Sequence, residues 1–292
     1  MFKTKKNLSD YIFITFNTGF MLFVVLITLY PFWFVVASSF NDPVDLANGP
    51  IFLWPRVFST ANYEFILQDV EILRAAFITV ARTVIGSLSA VLFTAAFSYA
   101  VSKRGLIGRK IFITMALITL YFSGGLIPTY IILTRFYGLH GNFLVYILPN
   151  MFNAFNAIIM ITFFKSIPSE MEESARIDGA NDLTIFVRLV LPVSTPILAT
   201  ITLFNGVFHW NSWFDAMLYG GRDLMTLQQY MVRTLQSATI GMEAINFAQR
   251  SAVTGTSVRY ATMVITAVPI IMIYPFLQRY FVKGIMIGSL KE

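Results

Sequence analysis

The side chains able to do chemistry in this sequence are few, and they gather in two places. Asn205, His209 and Ser212 recur at intervals of four and three, so a helix through them presents all three on one face. Asn211 and Asp215 follow, and Asn153, Asn156 and Thr162 interrupt an earlier apolar run. Polar groups inside apolar helices are costly and point to function. Amides, hydroxyls and an imidazole suit the exchange of hydrogen bonds with a hydroxyl-rich ligand. Making or breaking bonds needs more than this. His140 and His209 are the only histidines, there is no cysteine, and neither His-Glu-x2-His nor Gly-x4-Gly-Lys-Ser/Thr occurs. The sequence therefore predicts no catalytic residue, no metal site, no bound cofactor and no nucleotide site on this chain. The second place is a charged stretch, 170–182, stranded between apolar runs. Its chemistry is that of a docking surface.

The elements that position these residues are membrane helices. Hydrophobic residues make up 57% and charged residues 12%, against about 25% charged in soluble domains. Several windows exceed the roughly 18 apolar residues that cross a bilayer as a helix. The reading is six spans, at about 12–38, 75–101, 111–134, 143–164, 193–218 and 260–282. The fold class is thus an all-α integral membrane protein, one domain over 1–292, with strand alternation absent. The first apolar run is too long for a signal-peptide core and reads as an uncleaved span.

Lys and Arg set the orientation. Lys3, Lys5 and Lys6 lie at the N-terminus, and Lys103, Arg104, Arg109 and Lys110 crowd eight residues between spans 2 and 3. Lys165, Arg176 and Arg188 lie between spans 4 and 5, and Lys283 and Lys291 follow span 6. All fall on one side, so both termini and the loop 166–192 are expected in the cytoplasm. The net charge of +6 is then topology and not a nucleic-acid footprint. Trp33, Trp54, Trp210 and Trp213 would lie near the outer face as an aromatic belt among membrane lipids. Two long outer loops, about 39–74 and 219–259, are expected to carry structure of their own. A helix is read over Asn62–Leu73, and Leu224, Leu227, Tyr230, Met231 and Leu235 share a helical spacing.

Within 166–192, Pro168 suits a first helical turn, and Glu170, Glu172 and Glu173 suit the positive end of a helix dipole. Gly179 can take positive φ and end that helix, Asn181 or Asp182 can cap another, and Pro192 limits it. This helix–turn–helix resembles the EAA loop of binding-protein-dependent ABC importer permeases, whose pattern is Glu-Ala-Ala, three residues, Gly, nine residues, Ile-x-Leu-Pro. Glu173, Ala175, Gly179, Leu191 and Pro192 match in identity and spacing, while Ser174 and Leu189 replace an alanine and the isoleucine. Asp178-Gly179-Ala180 and the tail from Val282 to Glu292 resemble the carbohydrate subgroup, which serves polysaccharide-derived oligosaccharides such as alginate or other uronate oligomers. The resemblance runs from about Tyr63 onward.

The resemblance implies a permease subunit of an ABC importer in the bacterial cytoplasmic (inner) membrane. Its implied partners are a second permease, two ATPase subunits that use ATP and Mg, and a soluble solute-binding protein. It implies ATPase coupling through Glu172, Glu173, Ala175, Asp178, Gly179, Ala180, Leu191 and Pro192. Gly288, Ser289 and Lys291 are implied tail contacts with the ATPase. The substrate pathway is read onto Arg82, Tyr121, Asn153, Asn156, Asn205, His209, Trp210 and Asn211, with Tyr130 as a further aromatic. Arg82 and Arg135 would favour an acidic sugar if they face water. The alternatives are an ion-coupled carrier, for which Asp215 is the one acidic candidate, and an integral membrane enzyme.

Overall fold

The computed structural model describes residues 7–240 and 255–288. Lys3, Lys5, Lys6, Ser289 and Lys291 lie outside them. The described chain is almost wholly helical; its one β-bridge, Asn41 with Phe58, is isolated. It divides into two compact units, 1–69 with 234–266 and 70–233 with 267–292.

The first unit is built on α1, Leu8–Ser39. Its side chains from Leu8 to Phe32 are exposed apolar groups almost throughout, a surface that only an apolar surrounding tolerates. Beyond it, α2 (Pro43–Ala47) begins at Asp42, whose carboxylate accepts from the Val44 and Asp45 amides. α3 (Ala61–Leu67) stops at Gln68. Fully buried Asn62 donates to the Ser39 and Asn41 carbonyls, both at 3.0 Å, and Asn41 donates to Asp45 at 2.8 Å. Arg56 closes the loop on Asp45 at 2.9 Å and on the Gly49 carbonyl at 2.9 Å. The Trp33 indole donates to the Leu53 carbonyl and its ring meets Trp54 edge-on at 5.1 Å.

The second unit is built on α4, Val70–Ser102. The helix expected over 62–73 is therefore two, because the chain breaks at Gln68–Asp69 and α4 starts earlier than the span read at 75. The other expected spans are bent pairs. α5 (Arg109–Tyr121) and α6 (Leu126–Ile131), the latter extended by a π turn to Phe136, meet at 113° across Gly124 and Gly125. Gly125 has φ +84, a conformation costly for any residue with a Cβ. α7 (Leu144–Ile147) and α8 (Ala154–Lys165) are joined at 52° through Pro149, with Asn153 capping α8. α9 (Ser169–Ile177) and α10 (Asp182–Ile185) follow, then a π turn, Phe186–Val190, and α11 (Leu191–Val193). The stretch from Asp182 to Val193 meets α12 (Thr195–Asn211) at 82°, between Pro192 and Pro196. α13 (Phe214–Tyr219) is a separate turn, so the run read at 193–218 is not continuous. α14 covers Leu227–Ile240 and takes in Leu227, Tyr230, Met231 and Leu235 of the expected helical spacing, while Leu224 lies in the turn before it; the last described helix is Gly255–Gly288. Among the described residues three helices are long and apolar enough to cross a membrane, or up to six if each bent pair counts as one.

α4 packs along α8 and α12. Ser98 donates to the Ala157 carbonyl at 3.2 Å. Gly86 lets α12 approach closely, since a Cβ there would lie 2.4 Å from His209 Nε2.

Candidate functional site

Two polar regions mark the two ends of α4. At the Ser102 end lies the charged loop. α9 starts after Pro168, which occupies the cap one residue before the first turn. It ends in a double hydrogen bond, Gly179 N to Arg176 O at 3.0 Å and Ala180 N to Ala175 O at 2.9 Å, with Gly179 at φ +87. This is a Schellman closure, which needs a residue without a Cβ penalty at that point. Asn181 then caps α10, accepting from the Thr184 amide at 2.8 Å. Leu191 N–H reaches back to Phe186 O in the π turn before Pro192.

The loop sorts its side chains. Ile185 and Val190 are buried in a cluster with Tyr99, Met160, Phe164 and Ile201, and Ala175 and Ala180 pack against it. Glu172 turns inward to an ion pair with Lys103, whose ammonium also lies 4.1 Å from the centre of the Tyr99 ring. Glu172 is thus engaged by the chain itself. Arg176 and Asp182 pair across the turn at 2.8 Å, both exposed. Glu173, Asp178 and Pro192 are exposed. At the tip Ile177 and Leu183 keep 87% and 70% of their surface exposed. A cavity of about 1300 Å³ lies between this loop and the Lys103–Arg109 turn, lined also by Arg104, Lys165 and Glu173.

At the other end α4 carries Arg82, whose side chain is fully buried. It donates to both Asp215 oxygens, at 3.2 and 2.5 Å, and to the Ser212 carbonyl at 3.4 Å. Its guanidinium carbon lies 4.2 Å from the Tyr146 ring centre. Tyr146 in turn donates to the Leu224 carbonyl at 2.6 Å, and Thr79 accepts from the Leu227 amide at 2.8 Å. The expectation of an Arg82 open to water is not met. Its charge is sealed under Asp215, which lies 133 residues away in sequence. Arg135 is exposed at the end of its π turn and does not line the cavity described next.

That second cavity, about 420 Å³, lies beside the pair. Asn150, Asn211, Ser212 and Asp215 line it together with Phe208, Trp213, Phe214 and Tyr219. Of the expected pathway residues, Asn211 reaches it. Asn205 is buried and donates back to the Ile201 carbonyl at 2.9 Å. His209 is fully buried against Gly86, its two ring nitrogens without a hydrogen-bond partner, as are Thr83 Oγ1 and Ser87 Oγ. Trp210 is buried, Asn153 caps α8 by accepting from the Asn156 amide, and Tyr121 is exposed at the end of α5. Tyr130 stacks on Tyr219 at 5.7 Å. Phe208, Phe214 and Tyr219 were not among the expected residues; the adjacency of Phe214 to Asn211 and Asp215 in the chain was the available signal. Among the described residues no group of His, Asp and Glu gathers that could hold a metal ion.

No family model matches the chain. It is 36% identical over 275 residues to the polygalacturonan/rhamnogalacturonan transport system permease protein YtcP of Bacillus subtilis (strain 168), covering 94% of this chain and 96% of that one. It is 35% identical over 280 residues to protein LplC of the same organism, covering 94% and 93%. Its fold superimposes, with a TM-score of 0.89 and 31% identity, on a chain from the crystal structure of a bacterial ABC transporter involved in the import of the acidic polysaccharide alginate. That match covers 96% of this chain and all of the other.

Proposed function

Because this chain belongs to the permease family of carbohydrate ABC importers, we propose that it forms one half of a pore for a uronate-rich oligosaccharide and couples to its ATPase through 166–192. Membership makes it a membrane-embedded transport subunit and not an enzyme; ATP is hydrolysed by separate subunits. An ion-coupled carrier is not favoured, and its one acidic candidate, Asp215, is held by Arg82. The substrate class is suggested by the acidic polysaccharides that YtcP and the alginate transporter are named for.

In this reading each bent pair is one span, which gives six, with both termini and 166–192 in the cytoplasm of a bacterium and the membrane its inner membrane. The partners are a second, different permease, two ATPase subunits and a solute-binding protein. Gly288, Ser289 and Lys291 are the tail contacts with the ATPase in this reading. The observation that carries the coupling assignment is the exposed pair Ile177 and Leu183 on either side of the glycine turn. Two large apolar side chains on a solvated, charged helix pair gain by burial in a partner's groove, about 1.5–3 kcal/mol each if fully covered. Glu173 and Asp178 supply the charged rim.

The chain has no cysteine, so a single introduced thiol is unique on it. Ile177→Cys and Leu183→Cys, each labelled with maleimide-benzophenone, should photo-cross-link to the ATPase subunit in membrane vesicles through C–H insertion, whereas Trp54→Cys should not. Cross-linking of Trp54→Cys to the ATPase, or none at 177 and 183, would refute the assignment.

A further inference from the structure

The geometry points to a sugar subsite on this chain, in the 420 Å³ cavity beside Asp215, that reads the hydroxyl edge and C–H face of a pyranose ring and not its carboxylate. This rests on the reading of the chain as an oligosaccharide permease. The volume falls in the range of small-ligand sites, about 300–1,000 Å³. Its lining pairs aromatic rings with a few convergent polar groups. Phe214 and Asn211 are exposed, Trp213 is half-buried and meets Phe214 edge-on at 5.6 Å. Aromatic faces carry negative charge density and accept the weakly positive C–H face of a sugar ring.

The polar side of the site is fixed before any ligand arrives. Asp215 Oδ1 accepts from Arg82 and from the Ala216 amide at 2.8 Å, and Oδ2 accepts from Arg82 alone. A carboxylate has about four acceptor positions, so one on Oδ2 remains for a ligand hydroxyl. The Asp215 side chain keeps 22% of its surface exposed while that of Arg82 keeps none. Asn211 holds its own amide on the Val207 carbonyl at 2.9 Å, and its carbonyl oxygen is left to accept, with Gln228 at the long distance of 3.5 Å. Among the described residues no Lys, Arg or His lines the cavity. The ligand therefore meets acceptors and rings, and meets no cation. A uronate unit gains nothing here from its charge, and its neutral ester fits equally well or better. Discrimination for acidic sugars then arises outside this cavity.

The test is saturation-transfer NMR on the whole complex in nanodiscs, without binding protein, using digalacturonate and its dimethyl ester as probes. Both should receive saturation from the protein, the ester at least as strongly. Phe214→Ala and Asn211→Leu, at exposed positions where folding is retained, should each weaken binding of both probes about tenfold, one contact's worth in an equilibrium constant. An acid signal several-fold above the ester, or signals unchanged in both variants, would overturn the subsite. Uptake by the unsubstituted complex with its binding protein separates the two readings. Transport with unchanged variant signals removes the subsite and keeps the importer, whereas failure to transport any oligosaccharide removes the importer reading itself.

Discussion

The two ends of α4 handle charge in opposite ways. At the Ser102 end Glu173, Asp178 and the tip residues Ile177 and Leu183 are exposed. Of the two ion pairs there, Lys103 with Glu172 is turned inward, while Arg176 with Asp182 is solvated and contributes at most about 1 kcal/mol. At the Arg82 end the guanidinium is fully buried, doubly bonded to one carboxylate and stacked on Tyr146. Internal satisfaction of that kind leaves little for another protein to bind. A surface that holds its shape through backbone closures, yet leaves its charges and apolar tips uncovered, is built for a partner. A buried network that turns its charges on one another, even with Arg82 Nε left without a partner, is built for the fold. The comparison teaches that polar residues in a membrane protein cannot be assigned to transport by polarity alone; their partners decide.

The contrast can be broken most strongly at Arg82. Arg82→Met strands the Asp215 carboxylate and should cost about 3–5 kcal/mol, while Arg82→Met with Asp215→Leu should recover most of it. Thermal unfolding of the purified complex followed by size-exclusion reads the effect; equal losses in single and double variants would deny that the pair is the cause. Gly86→Ala comes next. Its methyl would meet three atoms of the His209 ring at 2.4–2.8 Å, and overpacking of this kind costs about 1–3 kcal/mol. Gly86→Ala combined with His209→Ala should restore the melting temperature toward that of His209→Ala alone.

The smallest expected effect lies in the first unit, at Asp45. Its carboxyl is held below the ordinary value of 3.8 by the Asn41 hydrogen bond first and by Arg56 second. A depressed folded value stabilises the loop above the unfolded pKa, and that contribution is lost as pH falls below about 4. Proteolysis of the 43–58 loop should therefore accelerate in that acid range in the native chain. Asp45→Asn should flatten the dependence, and an unchanged profile in that variant would place the effect elsewhere.

What could be read in the sequence follows from how local its cause is. The Gly179 turn was legible because a positive φ, a preceding acidic helix and a following Asn cap all fall within a dozen residues. The apolar runs announced the spans, and Pro149, Pro192, Pro196 and the Gly124–Gly125 pair contained the reasons for their breaks. The six spans take no account of these residues as bends, since composition gives no angle. The Arg82–Asp215 pair was invisible: hydrophobic periodicity carries no information about which distant carboxylate will meet a buried cation. The same holds for Gly86, whose role appears only once His209 lies against it. Glu172 was assigned to a partner by its place in a motif, but its inward turn to Lys103 depends on packing between segments far apart in the chain.

We propose that the exposed loop serves a partner and not the fold. Binding-protein-stimulated ATP hydrolysis by the reconstituted complex carrying Gly179→Pro tests it most directly. Proline cannot adopt the φ of +87 found there, so the tip should be misdirected while the core beneath it stands. The expected result is an assembled complex of unchanged melting temperature whose stimulated ATPase activity falls to the basal rate. Full stimulation in that complex, or failure to fold, would contradict the account.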